Sequence, residues 1–364
     1  MKKSFLLLIT LISFSCATTK KIDESGLKLS YLDDVAIPKN LQVDGTKVGG
    51  LSGIDYHDGE YYLVCDQPSN PRIYKAEIPL INRSIDTVLI TEMIKLNKNE
   101  AFFKQHTPDL EGIRFDAESG SLVVSAEGSI QNAKDPSVFE ISTDGRFLSA
   151  YKIPDYFKAT GEQKPRNNGV FEGLAESIDR SGYWVAMELP LEKDGPEPKI
   201  YPTNSPVRIT KFNKKSQSAE SQFTYKLDGI SKLPINWFAV NGVTEILEYA
   251  ENKFLVLERA YSAGYGSNGN TVKIFDVDAT KATNTLEMDI LTKNSYQEAE
   301  KRLVFDFKSV KNFLTKETID NIEGMTFGPE LPNGKKSLIL VSDDNFSSFS
   351  EQITQFILLE LEIN

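Results

Sequence analysis

One recurring pattern limits what this chain can fold into. In its clearest copy, Asp109-Leu110-Glu111-Gly112-Ile113-Arg114-Phe115 runs into a glycine-bearing turn and then Ser121-Leu122-Val123-Val124-Ser125-Ala126-Glu127. Two apolar runs around such a turn read as an antiparallel hairpin. The first and last residues of a hairpin lie side by side at its open end, so Glu111 and Glu127 belong to the same end. The pattern returns at Leu51-Ser52-Gly53-Ile54 leading to Asp66, and at Phe171-Glu172-Gly173-Leu174 leading to Glu188. It returns again at Asn241-Gly242-Val243 leading to Glu258-Arg259, and at Ile322-Glu323-Gly324-Met325 leading to Asp343-Asp344. The five glycines are 59, 61, 69 and 82 residues apart. A strand-built repeat of that length is the signature of a propeller or another closed β array.

Each hairpin is followed by further alternating runs. Val138–Ser142 and Phe147–Ile153 flank Asp144-Gly145, a strong hairpin cue. Val207–Phe212, Ser221–Tyr225 and Thr271–Val277 extend the later copies. Two hairpins per repeat make a four-stranded blade. The expectation is an all-β chain forming a single β-propeller of five four-stranded blades, with room for a sixth, irregular blade in the longest interval. Leu27–Leu32 has no local partner, and Ile353–Leu361 is its natural one. Pairing them closes the ring and removes exposed edges. The stretch from Lys301 to Lys316 has a mixed, partly helical pattern and reads as a lid or side insertion.

The first fifteen residues read as a signal peptide: a basic start at Lys2-Lys3, then a short apolar run from Phe5 to Phe14. Cys16 follows in the position of a lipoprotein cysteine, although Ser13 stands where leucine is usual. On this reading residues 1–15 are removed, Cys16 is lipidated, residues 16–26 are a tether, and 27–364 form the propeller. The expected location is the bacterial cell envelope, periplasm or outer membrane, with membrane contact only through the anchor. A monomer is expected. The chain has two cysteines, so losing one to a lipid leaves Cys65 and no internal disulfide. The formal charge is −11, which disfavours nucleic acid and anionic membrane surfaces and suits bound cations.

In a propeller the first strand of each blade lines the axis, and both ends of the inner hairpin's open side face one mouth. Strand starts then contribute Glu111, Glu172 and Glu323, with Ser52 and Asn241 at the remaining places. Strand ends contribute Asp66, Glu127, Glu188, Glu258 and Asp343, with Asp344 beside them. Two carboxylates about 4 Å apart repel by roughly 4 kcal/mol at a surface-like dielectric. Proton uptake, arginine partners or a hard cation must relieve this. Arg114 and Arg259 lie in or beside the motifs. Oxygen-rich sites without His or Cys suit Ca²⁺ or Mg²⁺, so these acids are candidate calcium ligands. The competing reading is structural: the acids cap backbone amides of neighbouring blades, and the glycines permit close approach.

Familiar machineries are missing: there is no Gly-x-Ser-x-Gly elbow, phosphate loop, Cys-x-x-Cys or His-Glu-x-x-His. His106 lies five residues before Glu111, near enough to reach the mouth, although a histidine in a proline-bearing loop is more often surface. His57 falls in the turn at the far end of its hairpin.

The Glu-Gly starts, the acidic strand ends, Asn167-Asn168-Gly169-Val170-Phe171-Glu172-Gly173-Leu174 and Ser342-Asp343-Asp344-Asn345 resemble the phytase-like family of exported bacterial β-propellers, often described as having esterase-like activity. The similarity runs from about Gly49 to the C-terminus. It implies a propeller and a calcium-dependent hydrolase of phosphoesters or carboxylic esters. On that reading Glu111, Glu172 and Glu323 act at the mouth, and Arg114 and Arg259 hold the anionic part of a small ester or phosphoester. The Ser52 and Asn241 departures leave the acidic ring incomplete. The alternative is a non-catalytic envelope lipoprotein that binds a ligand or protein through the propeller mouth.

Overall fold

The alternating apolar runs pair into five four-stranded antiparallel sheets in a computed structural model that describes residues 26–347 and 352–363. The leader, Cys16 and most of the tether lie outside the described residues. Blade one is Leu51–His57, Glu60–Cys65, Arg72–Glu77 and Leu89–Lys95. Blade two is Leu110–Asp116, Ser121–Ala126, Ser137–Ser142 and Phe147–Ala150. Blade three is Phe171–Glu176, Gly182–Met187, Pro206–Asn213 and Ser218–Lys226. Blade four is Ala239–Ala250, Lys253–Ser262, Asn270–Asp278 and Glu300–Asp306. Blade five is Asn321–Glu330, Lys336–Asp343 and Gln355–Ile363, completed on its outer edge by Leu27–Ala36. The chain is a five-bladed β-propeller, and its closure joins the two ends of the chain as the alternation implied. Leu27 pairs with Ile363 and Ala36 with Gln355, so the orphan strand also runs on to residue 36.

The innermost strands pack side by side around the axis. Four of them carry a register shift at the repeat motif: between Leu51 and Gly53, Leu110 and Ile113, Phe171 and Leu174, and Ile322 and Gly324. Such bulges bend a strand and re-aim the extra residue. The glycine beside each bulge has a steric reason. A Cβ at Gly53 would lie 2.3 Å from the Glu111 carbonyl oxygen, and one at Gly112 would lie 2.8 Å from that of Glu172. Main chain therefore meets main chain from blade to blade, and the bulged side chains turn toward the mouth.

Blade four departs from the sequence alignment. Val243 pairs with Glu258 and Glu245 with Leu257, so its bulge falls at Thr244 and not at Asn241. Glu245 stands where other blades have glycine, and its Cα would be 2.8 Å from a Cβ on Gly173. Gly242 is one pair nearer the mouth, where a Cβ would lie 2.3 Å from Glu188 Cγ. It leaves space for that side chain and does not mark the repeat. The same shift puts Arg259, not Glu258, level with Glu127 and Glu188. The inner hairpin of this blade is longer than the others, which is why glycine alignment slips there.

The long fourth interval holds no sixth blade. Residues 279–299 instead cover the edge of blade three, where Thr285 N–H donates to Gln222 O at 2.9 Å and Ala299 N–H to Thr224 O at 2.9 Å. Fully buried Arg208 secures this segment through Asp194 at 2.6 Å and the carbonyl of Met288 at 2.8 Å. The region expected as a lid begins as the outer strand Glu300–Asp306 of blade four and continues as three short 3-10 turns. Alternation there is weak because that strand is mostly half-buried on both faces, with Phe305 alone buried, which hid it.

Gly53→Ala should destabilise the fold by about 1–3 kcal/mol, because the methyl must enter occupied backbone space. A urea midpoint equal to that of the unmodified protein would contradict the close contact of inner strands.

Candidate acidic site at the channel mouth

The strand starts and strand ends converge. Carboxylate oxygens of Glu111, Glu127 and Glu172 lie within 4.8 Å of one another, and so do those of Asp66, Asp109 and Glu111. Glu188 and Glu323 act electrostatically on Glu172, and Asp66 acts on Glu323 and Asp343. Glu111 and Glu172 are each only 8% exposed, and no protein hydrogen bond reaches either carboxylate among the described residues. One Asp109 oxygen is likewise buried without a donor.

Asp109 was not among the sequence candidates. The signal was available: it lies two residues before Glu111, hence on the same face of the strand's entry. Its own carbonyl receives the Glu127 N–H at 3.0 Å, which ties the two ends of the hairpin together.

Among the described residues the cation within this group is Arg259. Its guanidinium is 3.0 Å from Glu323 and 3.5 Å from Glu188, and its Nε is buried without an acceptor. Some of the acids also serve structure. Glu127 accepts the Val170 N–H at 2.8 Å, Asp343 the Asn345 N–H at 2.8 Å, and Glu323 the Asn321 side-chain amide at 2.9 Å. Backbone capping therefore accounts for Glu127 and Asp343 in part. It leaves Glu111 and Glu172 unaccounted for. Ser52, at the corresponding place of blade one, donates instead to the Leu110 carbonyl at 2.8 Å.

Three sequence candidates lie outside the cluster. Glu258 is fully engaged by Lys301 at 2.8 Å and Asn241 at 2.7 Å of its own blade and by the Tyr225 hydroxyl of blade three. Its position is a consequence of the shifted bulge. Arg114 sits deeper on the axis. It donates to the carbonyls of Ile54 at 2.9 Å and Ile113 at 2.6 Å and pairs with Glu245 at 3.1 Å. It points away from Glu111 because residues two and three positions further along a strand occupy other levels of the channel. Asp344 turns outward to the Gly50 N–H at 3.0 Å and Lys47 at 3.1 Å.

His106 stacks on Phe102 with ring centres 4.3 Å apart, and His57 on Phe115 at 4.2 Å. His57 lines the opposite end of the channel, in a cavity of about 340 Å³ with Asp55 and Arg114.

Burial and mutual repulsion dominate the electrostatics. Burial comes first in every case and raises Glu111, Glu172 and Asp343 well above the carboxylate range, with like charges adding to it. Asp109 rises to about 9, through burial and then its contact with Asp66. Glu127 rises to about 8, through burial and then Glu188. Glu188 and Glu323 rise only to about 7, because Arg259 opposes their burial. A cluster of this kind takes up protons or a cation. The donor set is oxygen throughout, with no histidine or thiol, so a hard divalent cation fits it.

The sequence profile of the phytase-like family, described as "esterase-like activity of phytase", matches residues 46–346. The chain belongs to this family. No curated protein matches it by sequence at a significant level. Solved structures of similar shape include an exo-1,5-α-L-arabinanase from a bovine ruminal metagenomic library, 8% identical, with 88% of this chain and 95% of that one covered at a TM-score of 0.44. The catalytic domain of the Coprinopsis cinerea GH62 α-L-arabinofuranosidase is 9% identical, with 93% and 98% covered at 0.44. An endo-1,4-β-xylanase from Bacteroides thetaiotaomicron is 10% identical, with 85% and 90% covered at 0.45.

Each raised carboxyl keeps its proton to higher pH when folded than when unfolded, so its contribution is lost as pH rises through the folded value. In chelator, stability should therefore fall between about pH 4, where carboxyls titrate in the unfolded chain, and about pH 9, the folded value of Asp109. Glu111→Gln or Glu172→Gln should flatten that fall and raise the melting temperature at pH 8. A melting temperature that is flat across this range, and unmoved by either substitution, would show that these acids do not repel one another when folded.

Proposed function

We propose that this phytase-like propeller is a hydrolase of small phosphoesters or carboxylic esters that works at the acidic mouth with calcium or a similar hard cation. The observation that carries the reading is the pair of buried carboxylates, Glu111 and Glu172, without a hydrogen-bond donor. They would hold the cation together with Asp66, Asp109 and Glu127. When bound, such a cation acts as a Lewis acid and lowers the pKa of a coordinated water.

The chain's own groups complete the site. Arg259, flanked by Glu188 and Glu323, sets a positive charge beside the acids that would attract the anionic part of the substrate. Glu188 and Glu323, at about 7, lie near the range in which a carboxyl can accept or return a proton at neutral pH. The lengthened inner hairpin of blade four raises a wall beside the mouth. Trp237, 95% exposed, and Phe238 immediately precede that hairpin, where they can meet an apolar part of the substrate.

The same apolar rim favours a second reading, a non-catalytic protein that binds a ligand or partner through the mouth. Leu233, Ile235, Trp237 and Phe238 are all exposed within one short loop. On either reading the protein is placed in the cell envelope by a lipidated Cys16 and works as a monomer.

The test is release of p-nitrophenol from p-nitrophenyl phosphate and p-nitrophenyl acetate, with and without EDTA. The hydrolase reading expects chelator-sensitive turnover that calcium restores. It also expects a loss of about 100-fold or more in the Glu111→Gln/Glu172→Gln double variant. Calcium should raise the melting temperature of the unmodified protein and not that of the variant. A calcium-dependent melting shift without turnover of either ester favours the binding reading. Turnover that survives both EDTA and the double substitution removes the mouth acids from the chemistry.

A further inference from the structure

A second cavity, of about 380 Å³, lies between blades four and five. Three segments build it: Ser231 and Lys232 before blade four, Asn268 to Lys273 at the start of its third strand, and Asp306 to Lys311 after its outer strand. Asn270 pairs with Tyr261, and Lys273 with Asp306, so the cavity opens on the same face as the mouth.

Its charge is opposite to that of the chain. Four lysines line it against one aspartate, on a protein with a formal charge of −11. Lys273 is paired with Asp228 at 3.2 Å. Lys232, Lys308 and Lys311 have no carboxylate partner among the described residues. Lys232 donates to the Asn268 carbonyl and Lys311 to the Asn268 side chain at 2.7 Å, both neutral acceptors. The one acid, Asp306, accepts the Lys308 backbone N–H at 2.9 Å. Lys232 lies below the usual lysine range, first through burial and then through the like charges of Lys311 and Lys308. Ammonium groups gathered this way repel one another, as the mouth carboxylates do, and an anion relieves them.

A second feature points into the same space. Asn270 is only 7% exposed and lines the cavity, and its side-chain amide oxygen Oδ1 is buried without a donor among the described residues. A buried amide oxygen without a donor costs about 1–3 kcal/mol unless a hydroxyl or other donor reaches it. The hydroxyls of Ser231 and Thr271, 3.3 Å apart, add neutral donors on the facing side.

We propose that this cavity is an oxyanion site, in which Lys232, Lys308 and Lys311 neutralise a phosphate or sulfate group, the Ser231 and Thr271 hydroxyls orient it, and the Asn270 amide oxygen accepts from a hydroxyl of the molecule that carries it. Donors arrive from three separate segments, which suits a tetrahedral oxyanion better than a planar carboxylate. The cavity exceeds the volume of a bare ion, so the group is carried by a small molecule. The site shares no residue with the acidic mouth, and the proposal does not depend on ester hydrolysis.

The test is calorimetric titration of the full chain, in EDTA at low salt, with inorganic phosphate, glucose 6-phosphate and glucuronate in separate arms. Expected is binding of glucose 6-phosphate that weakens as salt is raised, with weaker binding of free phosphate and of the carboxylate. Lys308→Ala with Lys311→Ala should weaken it about tenfold or more. Asn270→Asp, nearly isosteric but anionic, should abolish it while leaving the circular dichroism spectrum and melting temperature close to the original. The Glu111→Gln/Glu172→Gln variant should bind unchanged, which separates this site from the mouth. No binding in any arm overturns the proposal, as does binding that survives both the lysine and the Asn270 substitutions.

Discussion

Five strands can meet around one axis only if their backbones nearly touch, and most of this molecule follows from that contact. Gly53 and Gly112 bring the main chain of one blade against the carbonyl of the next. With no room for side chains between neighbours, the bulged residues turn toward the mouth. Three of those residues are glutamates, and a second set of acids arrives from the ends of the paired strands. The geometry that closes the ring thus also concentrates negative charge. The core supports this arrangement with four buried apolar clusters, the largest centred on blade three and its contacts with blades two and four.

The two arginines of the motif region divide the axis between them. Arg114 binds carbonyls from the inner strands of several blades and offsets Glu245 and Asp55, so it holds the channel interior together. Arg259 stands at the mouth and compensates only part of the charge there. The imbalance is specific to one level of the channel. Deeper acids such as Asp55 and Glu245 have cationic and amide partners, as in the Phe115 N–H to Asp55 bond of 2.7 Å and the Leu174 N–H to Glu245 bond of 2.9 Å. Glu111 and Glu172 do not. A difference between neighbouring levels of the same channel is stronger ground for a functional mouth than the number of acids alone, because acids that serve structure are visibly bonded nearby.

The cavity between blades four and five presents the same logic with the sign reversed. Three lysines without a carboxylate partner and a buried amide oxygen without a donor, among the described residues, lie on a chain that is acidic as a whole. Both places are recognised by what their polar groups lack.

Alternation, turn residues and the spacing of Glu-Gly pairs were enough to read five blades, their order, and the strand that closes the ring. These are local or evenly repeated signals, and strand pairing follows them. Most of the mouth acids were legible for the same reason, since a residue's place in a hairpin sets which end it faces. Register was not legible. Whether Asn241 or Thr244 occupies the bulge of blade four depends on how a longer hairpin slides against its neighbours, and Gly242 serves Glu188 across the blade boundary. That slide exchanged Glu258 for Arg259 at the mouth and carried an acid into a satisfied network with Lys301. Nor could spacing reveal the lysine cavity, whose three segments meet at one end of blade four through the pairing of Lys273 with Asp306 and the path of the flanking loops. Sequence determined the repeat and the chemistry each repeat carries; tertiary structure decided which charges meet, because burial and pairing belong to the assembled ring and to no single strand.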